Sequence, residues 1–285
     1  MGIIEAIILG LVQGLTEFLP ISSSAHLRIA GLLLPSAVDP GATFTAISQL
    51  GTELAVLLYF WKDITRIIGK WFRHFGSGRG RGAVQIEKND PDVRMGWLII
   101  IGTIPIVIVG YFLQDTIRGA FRSLWIIAIV LIVFGIILGI ADALGRKEKK
   151  LTDLTYRDGI LYGLAQMLAL VPGVSRSGAT TTMGRALGYS RPAAAQYAFL
   201  LAVPAVFGSG LFELVHSIRT PDVGAPFGYL ETAIATVVAF GVGYVVISFL
   251  MNYIKTRSFL PFVIYRIALG STLIVLLATG VIQAT

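Results

Sequence analysis

"QGLTEFLPISSSAH", residues Gln13–His26, interrupts an N-terminal segment that is otherwise as apolar as a membrane anchor. It sets an amide, a carboxylate, a proline, three consecutive serines and a histidine where a crossing helix would carry only Leu, Ile and Val. Pro20 disfavours helical geometry at Leu19, and serines are good N-cap residues, so the stretch reads as two short half-helices, the second running to about Leu34. Neither half has the roughly 20 residues that cross about 30 Å of hydrocarbon. Region 3–34 is therefore a broken hairpin.

A second such region, 157–188, matches the first without a gap at a fixed offset of 153 residues. Gln13 falls on Gln166, Ser22 on Ser175 and Ser24 on Ser177, alongside Gly10 on Gly163 and Gly31 on Gly184. Coincident Gln and paired Ser in apolar sequence point to an internal duplication. Apolar spans follow each hairpin: 42–61, 96–113 and 123–142, then 192–215, 229–253 and 262–282. Three crossings per unit insert the second unit upside down. The expected fold is an all-α polytopic membrane protein of two inverted-topology repeats, each a re-entrant helix hairpin plus three transmembrane helices. Repeat 1 covers 1–142, a cytoplasmic linker 143–156, and repeat 2 covers 157–285.

Composition agrees. Of 285 residues 55 % are hydrophobic and 14 % charged, with a mean hydropathy of +0.79. Alternating strand patterns are absent, which argues against a barrel. Without cysteine, disulfides, thiolate nucleophiles and cysteine-bound metals are excluded. The N-terminus lacks a basic n-region and a small-residue cleavage site and reads as part of the mature fold.

The net charge of +7 sits in a few inter-helix loops, a pattern of membrane orientation and not of nucleic-acid binding. Loop 62–94 carries Lys62, Arg66, Lys70, Arg73, Arg79, Arg81, Lys88 and Arg94; loop 143–157 carries Arg146, Lys147, Lys149, Lys150 and Arg157; Lys255 and Arg257 join them. The other face has little beyond Arg28, Arg118, Arg122 and Arg219. The rich side is expected to be cytoplasmic, with both termini and the first hairpin facing outward. The RGRG piece reads as part of a solvated loop.

Gln13 and Glu17 share one helix face, and a carboxylate at this depth demands pairing, hydration or a cation. The second half-helix aims free amides and its positive dipole end into the polar centre, where Ser22, Ser23 and Ser24 stand, an arrangement that binds anions. His26, three residues after Ser23, is placed to reach its hydroxyl as a general base. His74 and His216 receive no role. In "PGVSRSGAT", Pro172–Thr180, the planar fork of Arg176 suits two phosphate oxygens, Gly173 and Gly178 admit close approach, and Ser175, Ser177 and Thr180 offer hydroxyls. A structural Arg176–Glu17 pair is the alternative, and it too would bring the hairpins together. Together these groups resemble phosphoryl-transfer equipment more than a carbohydrate or amino-acid site.

The two motifs resemble the undecaprenyl-diphosphate phosphatases, also called bacitracin-resistance proteins. Further matches are "QLGTELAVLLYFW" from Gln49, "SRPAAAQYAFLLAVPA" from Ser190 and "FLPFVIYRIALG" from Phe259. The resemblance covers nearly the whole chain. It implies hydrolysis of a polyprenyl diphosphate to the monophosphate in the plasma membrane, usually with Mg²⁺ or Ca²⁺, recycling the lipid carrier of cell-wall precursors that bacitracin also engages. By position it maps an acidic motif to Gln13 and Glu17, a serine to Ser23, a histidine to His26 and an SRS element to Ser175–Ser177. Gln13 departs from the Glu of many members. Glu53 is a further acid inside span 42–61, either satisfied by a helix neighbour or a compensating cation ligand.

The expected catalytic set is Ser23 as nucleophile, His26 as base, Glu17 and Arg176. Ser22, Ser24, Ser175, Arg176, Ser177 and Thr180 would bind phosphate, and Glu17, Gln13 and Glu53 would bind the metal. Attack by a bound water or by His26 stays open. A polyprenyl-phosphate flippase is the rival reading, and a homodimer stays open as the assembly.

Overall fold

In hydrocarbon each backbone N–H and C=O must be satisfied within its own segment, so the apolar runs between Gly, Pro and Ser interruptions fold as helices. The computed structural model describes residues 2–36, 38–76, 90–118, 121, 123–220 and 225–283. Its helices are α1 Ile3–Thr16, α2 Ser23–Leu33, α3 Gly41–Tyr59, α4 Trp61–Gly76, α5 Pro91–Phe112, α6 Gln114–Arg118, α7 Leu124–Leu144, α8 Tyr156–Leu168, α9 Arg176–Ala186, α10 Arg191–Arg219, α11 Tyr229–Tyr253 and α12 Leu260–Ala278. There is no strand among the described residues.

Five helices, α5, α7, α10, α11 and α12, are long and apolar enough to cross a membrane. The sixth expected span falls on α3, whose Thr45, Ser48, Gln49, Thr52 and Glu53 dilute its apolar character. The other difference lies at 62–94. Its first part is helix α4 and not a solvated loop, because its apolar residues recur at helical spacing between the basic ones. Arg79, Arg81, Lys88 and the RGRG piece, like Arg122, lie outside the described residues.

Both broken regions appear as helix–break–helix, α1–α2 and α8–α9, and α2 and α9 start and stop at positions 153 apart. In each break the N-cap serine takes a positive φ: 74° at Ser22 and 69° at Ser175. They are the only non-glycine residues in that region among the described residues, and they are equivalent under the offset. Each caps its own helix, Ser22 Oγ accepting from the Ala25 amide at 3.4 Å and Ser175 Oγ from the Gly178 amide at 3.1 Å.

Packing pairs corresponding helices in the same way. α1 lies on α11 and α8 on α5; α3 packs on α11 and α10 on α5. Close crossings rest on small residues. A Cβ at Gly10 would stand 2.6 Å from the Ala235 carbonyl oxygen, and one at Gly163 2.5 Å from that of Gly102. Aromatic residues Tyr162, Tyr197, Phe199 and Phe18 belong to the main core. Asp142 of α7 fastens one end of the bundle, accepting from Arg185 Nε at 2.9 Å, Arg191 Nε at 2.7 Å and the Phe259 amide at 3.1 Å.

Candidate active site

Glu17 closes α1 and turns its buried carboxylate toward the second break. Oε2 accepts from Gln13 Nε2 at 2.7 Å, one helical turn back, from Ser23 Oγ at 2.6 Å and from Gln49 Nε2 of α3 at 3.4 Å. Oε1 faces Arg176 Nη2 at 2.5 Å. Four donors from α1, α2, α3 and α9 thus converge on one carboxylate. The serine hydroxyl nearest to a proton acceptor is that of Ser23.

Arg176 is the first residue of α9, so its guanidinium stands beside that helix's positive end. It leans also on Glu53, Nη2 to Oε2 3.6 Å, an ion-pair distance too long for a hydrogen bond. Glu53 is 1 % exposed and neither of its oxygens has a hydrogen-bond partner; Gln13 Oε1 is likewise buried without a donor. Gln49, four residues before Glu53, gives its amide to Glu17 instead.

The remaining hydroxyls lock the two breaks together. Ser22 Oγ accepts from the Gly173 amide at 3.2 Å, and Ser177 Oγ donates to the carbonyls of Leu19 at 3.2 Å and Glu17 at 3.3 Å. Thr180 Oγ1 bonds back to the Arg176 carbonyl at 2.7 Å. Ser175 Oγ lies 3.1 Å from Ser177 Oγ, and Ser24 Oγ 3.2 Å from Ser22 Oγ. All six expected phosphate binders sit at the paired breaks, yet Ser22, Ser175, Ser177 and Thr180 have their hydroxyls engaged by protein. Only Ser24 and Arg176 of the set line the cavity beside them.

That cavity has a volume of about 470 Å³ and lies between α3, α5 and α10. Ser24, Gln49 and Arg176 mark its polar end; Ile106, Val107, Leu170 and Phe212 give it apolar walls. It suits a ligand with an anionic head and a hydrocarbon tail.

The hydrogen bond expected between His26 and Ser23 is not formed. His26 Nδ1 stands 2.7 Å from the Ser22 carbonyl, which can only accept, so Nδ1 carries the proton; Nε2 then accepts from the Tyr265 hydroxyl at 2.7 Å. The two rings are stacked, centroids 5.5 Å apart.

Arg266 of α12 escaped the residue-by-residue reading. Fully buried, it donates to the carbonyls of Pro20 at 3.1 Å, Val174 at 3.0 Å, Gly173 at 2.8 Å and Leu131 at 3.2 Å. One guanidinium therefore fixes both breaks. An arginine inside the apolar run "FVIYRIALG" is itself the signal that could have found it.

For a metal, the donor chemistry fits a hard cation: Glu53 and Gln13 Oε1 offer buried oxygens without donors beside Glu17. Among the described residues no three His, Cys, Asp or Glu side chains are grouped to hold an ion alone. An ion here would draw further oxygens from substrate or solvent.

Residues 6–272 match the bacitracin resistance protein BacA family. The chain is 64 % identical over 281 residues to the undecaprenyl-diphosphatase of Micrococcus luteus, covering 99 % of each chain. It is 64 % identical over 285 residues to that of Clavibacter michiganensis subsp. michiganensis, covering all of both. With undecaprenyl-diphosphatase 2 of Agrobacterium fabrum it shares 56 % over 285 residues, covering 100 % of this chain and 99 % of the relative. The converging breaks, the apolar-walled cavity and these full-length matches agree, and the chain belongs to the BacA family of bacitracin resistance proteins.

Proposed function

We propose that this chain is a membrane-embedded phosphatase that hydrolyses undecaprenyl diphosphate to the monophosphate and phosphate, recycling the carrier lipid whose diphosphate form bacitracin sequesters. The observation that carries the chemistry is Ser23 Oγ donating to Glu17 Oε2 at 2.6 Å, beside an Arg176 that opens on an apolar-walled cavity. The names of the full-length relatives supply the substrate.

The prenyl tail follows the apolar walls and the head meets Arg176 at the inner end. Engaging phosphate draws Arg176 from Glu17 and frees the carboxylate. Ser23 Oγ attacks the terminal phosphorus while its proton passes to Glu17; the bond to the bridging oxygen breaks, the prenyl monophosphate leaves, and Glu17 releases that proton to solvent. Water then attacks the phosphoserine, its proton passes to Glu17 and on to Ser23 Oγ, and phosphate departs with Ser23 restored. The amides at the starts of α2 and α9, with Arg176, bind the charge that builds on the equatorial oxygens. His26 holds the Ser22 carbonyl, and so the start of α2, in place. Glu53 and Gln13 Oε1, with Glu17, would hold a divalent cation, Mg²⁺ or Ca²⁺, which when bound would supply neutralisation of the phosphate charge.

The proposal includes the topology. The hairpins re-enter from opposite faces as halves of inverted repeats 1–142 and 157–285, with the site opening to the extracytoplasmic side of the plasma membrane. Supporting this are the shared 153-residue offset of helix bounds and of the two positive-φ serines, and the exchanged packing partners.

Phosphate release by purified protein in detergent with divalent cation is the test. Ser23→Ala is expected to lower kcat by at least about 10³ and Arg176→Ala by about 10²–10³. Wild-type turnover that traps no phosphoserine at 23, with Ser23→Ala fully active, would sink the covalent route. No release at all by the wild type would favour a flippase.

A further inference from the structure

Helix α4 divides into three arcs when its residues are set 100° apart. The first faces protein: Ile67 is buried, and the Trp71 ring lies across Trp97 of α5, centroids 5.4 Å apart. The second, Trp61, Ile68 and Phe72, is 60 %, 50 % and 65 % exposed. The third, Lys62, Arg66 and Arg73, lies about a third of a turn further round and is also exposed.

Its place in the bundle says what covers the apolar arc. Only Phe60 separates the end of α3 from the start of α4. Further along, Arg66 and Lys70 bind Asp92 at 3.1 and 2.8 Å, and Lys70 binds Asp90 at 2.9 Å, at the start of the membrane-crossing helix α5. An element pinned between two helix ends lies at the bilayer boundary. Deeper, its basic arc would lose water; further out, its apolar arc would face water. Lys62 has no ion-pair partner among the described residues, which leaves its charge for a ligand.

We infer that α4 is an interfacial helix, with Trp61, Ile68 and Phe72 seated among the acyl chains of the adjoining leaflet and the basic arc facing anionic phospholipid head groups, which Lys62 binds. This rests on the membrane placement alone and survives failure of any catalytic assignment.

The chain has no cysteine, so single labels report cleanly. Ile68→Cys, Phe72→Cys, Lys62→Cys and Arg73→Cys would each carry an environment-sensitive fluorophore in vesicles of phosphatidylcholine with or without phosphatidylglycerol. Labels at 68 and 72 should be quenched by acyl-chain spin-labelled lipid and shielded from iodide. Labels at 62 and 73 should be reached by iodide and quenched more by head-group spin-labelled phosphatidylglycerol than by phosphatidylcholine. With the label at 73, Lys62→Gln should reduce that preference about fivefold. Iodide access at 68 and 72 would overturn the inference by showing a solvated helix. Shielding without lipid quenching would overturn it in favour of a protein partner or second copy, and equal quenching by the two head groups would overturn the anionic assignment.

Discussion

Ser22 and Ser175 hold a backbone conformation that costs a non-glycine residue about 1–2 kcal/mol, and their hydroxyls explain why glycine does not stand there. Ser22 Oγ caps α2 and receives the Gly173 amide from the other hairpin, so Ser22→Ala keeps the strain and loses both bonds. Ser22→Ala is expected to destabilise by about 2–3 kcal/mol, the sum of a lost cap and an orphaned buried amide. Ser22→Gly also loses the bonds but relieves the φ, and should melt above the alanine variant in detergent. Equal melting would mean the φ stores no strain. At this scale the sequence was partly legible. Glu17, Ser23 and Arg176 stand out because charges and serine runs are rare in apolar segments. The partner of His26 was not legible, since a three-residue spacing brings two side chains to one helix face but says nothing of Tyr265, 239 residues away, whose hydroxyl meets its Nε2.

Among elements, the two breaks depend on α12. Arg266 offers donors to three carbonyls in the breaks, and Leu131 of α7 takes a fourth bond. Arg266→Met should cost at least about 3 kcal/mol, because several buried carbonyls lose their partner at about 1–3 kcal/mol each. Arg266→Lys, a single donor point in place of a planar fork, should recover part of that stability and little of the turnover, since Ser23 and Arg176 are carried by the breaks that drift. Thermal melts with phosphate release on the same samples separate the two effects. An unchanged melting temperature in Arg266→Met would refute the tie. The two helix breaks were readable because Pro20 and the serines punctuate locally. Helix α4 was not, because its charges suggest solvation while the apolar stripe at Trp61, Ile68 and Phe72 shows only at helical period.

For the whole molecule, the 153-residue offset is legible in one sequence because the same polar residues are written twice, whereas the contact between the two breaks is not, being a property of packing. The sidedness expected from loop charge is open to a direct test in this cysteine-free chain. Pro35 follows α2, Glu148 follows α7, and Tyr156 begins α8; all three are exposed. If each hairpin re-enters and each repeat crosses three times, Pro35→Cys must label from one face, and Glu148→Cys and Tyr156→Cys from the other. The basic linker around Glu148 makes the cytoplasm the expected side of that second face. A membrane-impermeant maleimide applied to intact spheroplasts should therefore modify position 35 at once and positions 148 and 156 only after lysis. Modification of 148 and not 35 before lysis would reverse the orientation and leave the repeats intact. Modification of 35 and 148 from the same side would require an even number of crossings between them, and the two breaks could then no longer enter from opposite faces.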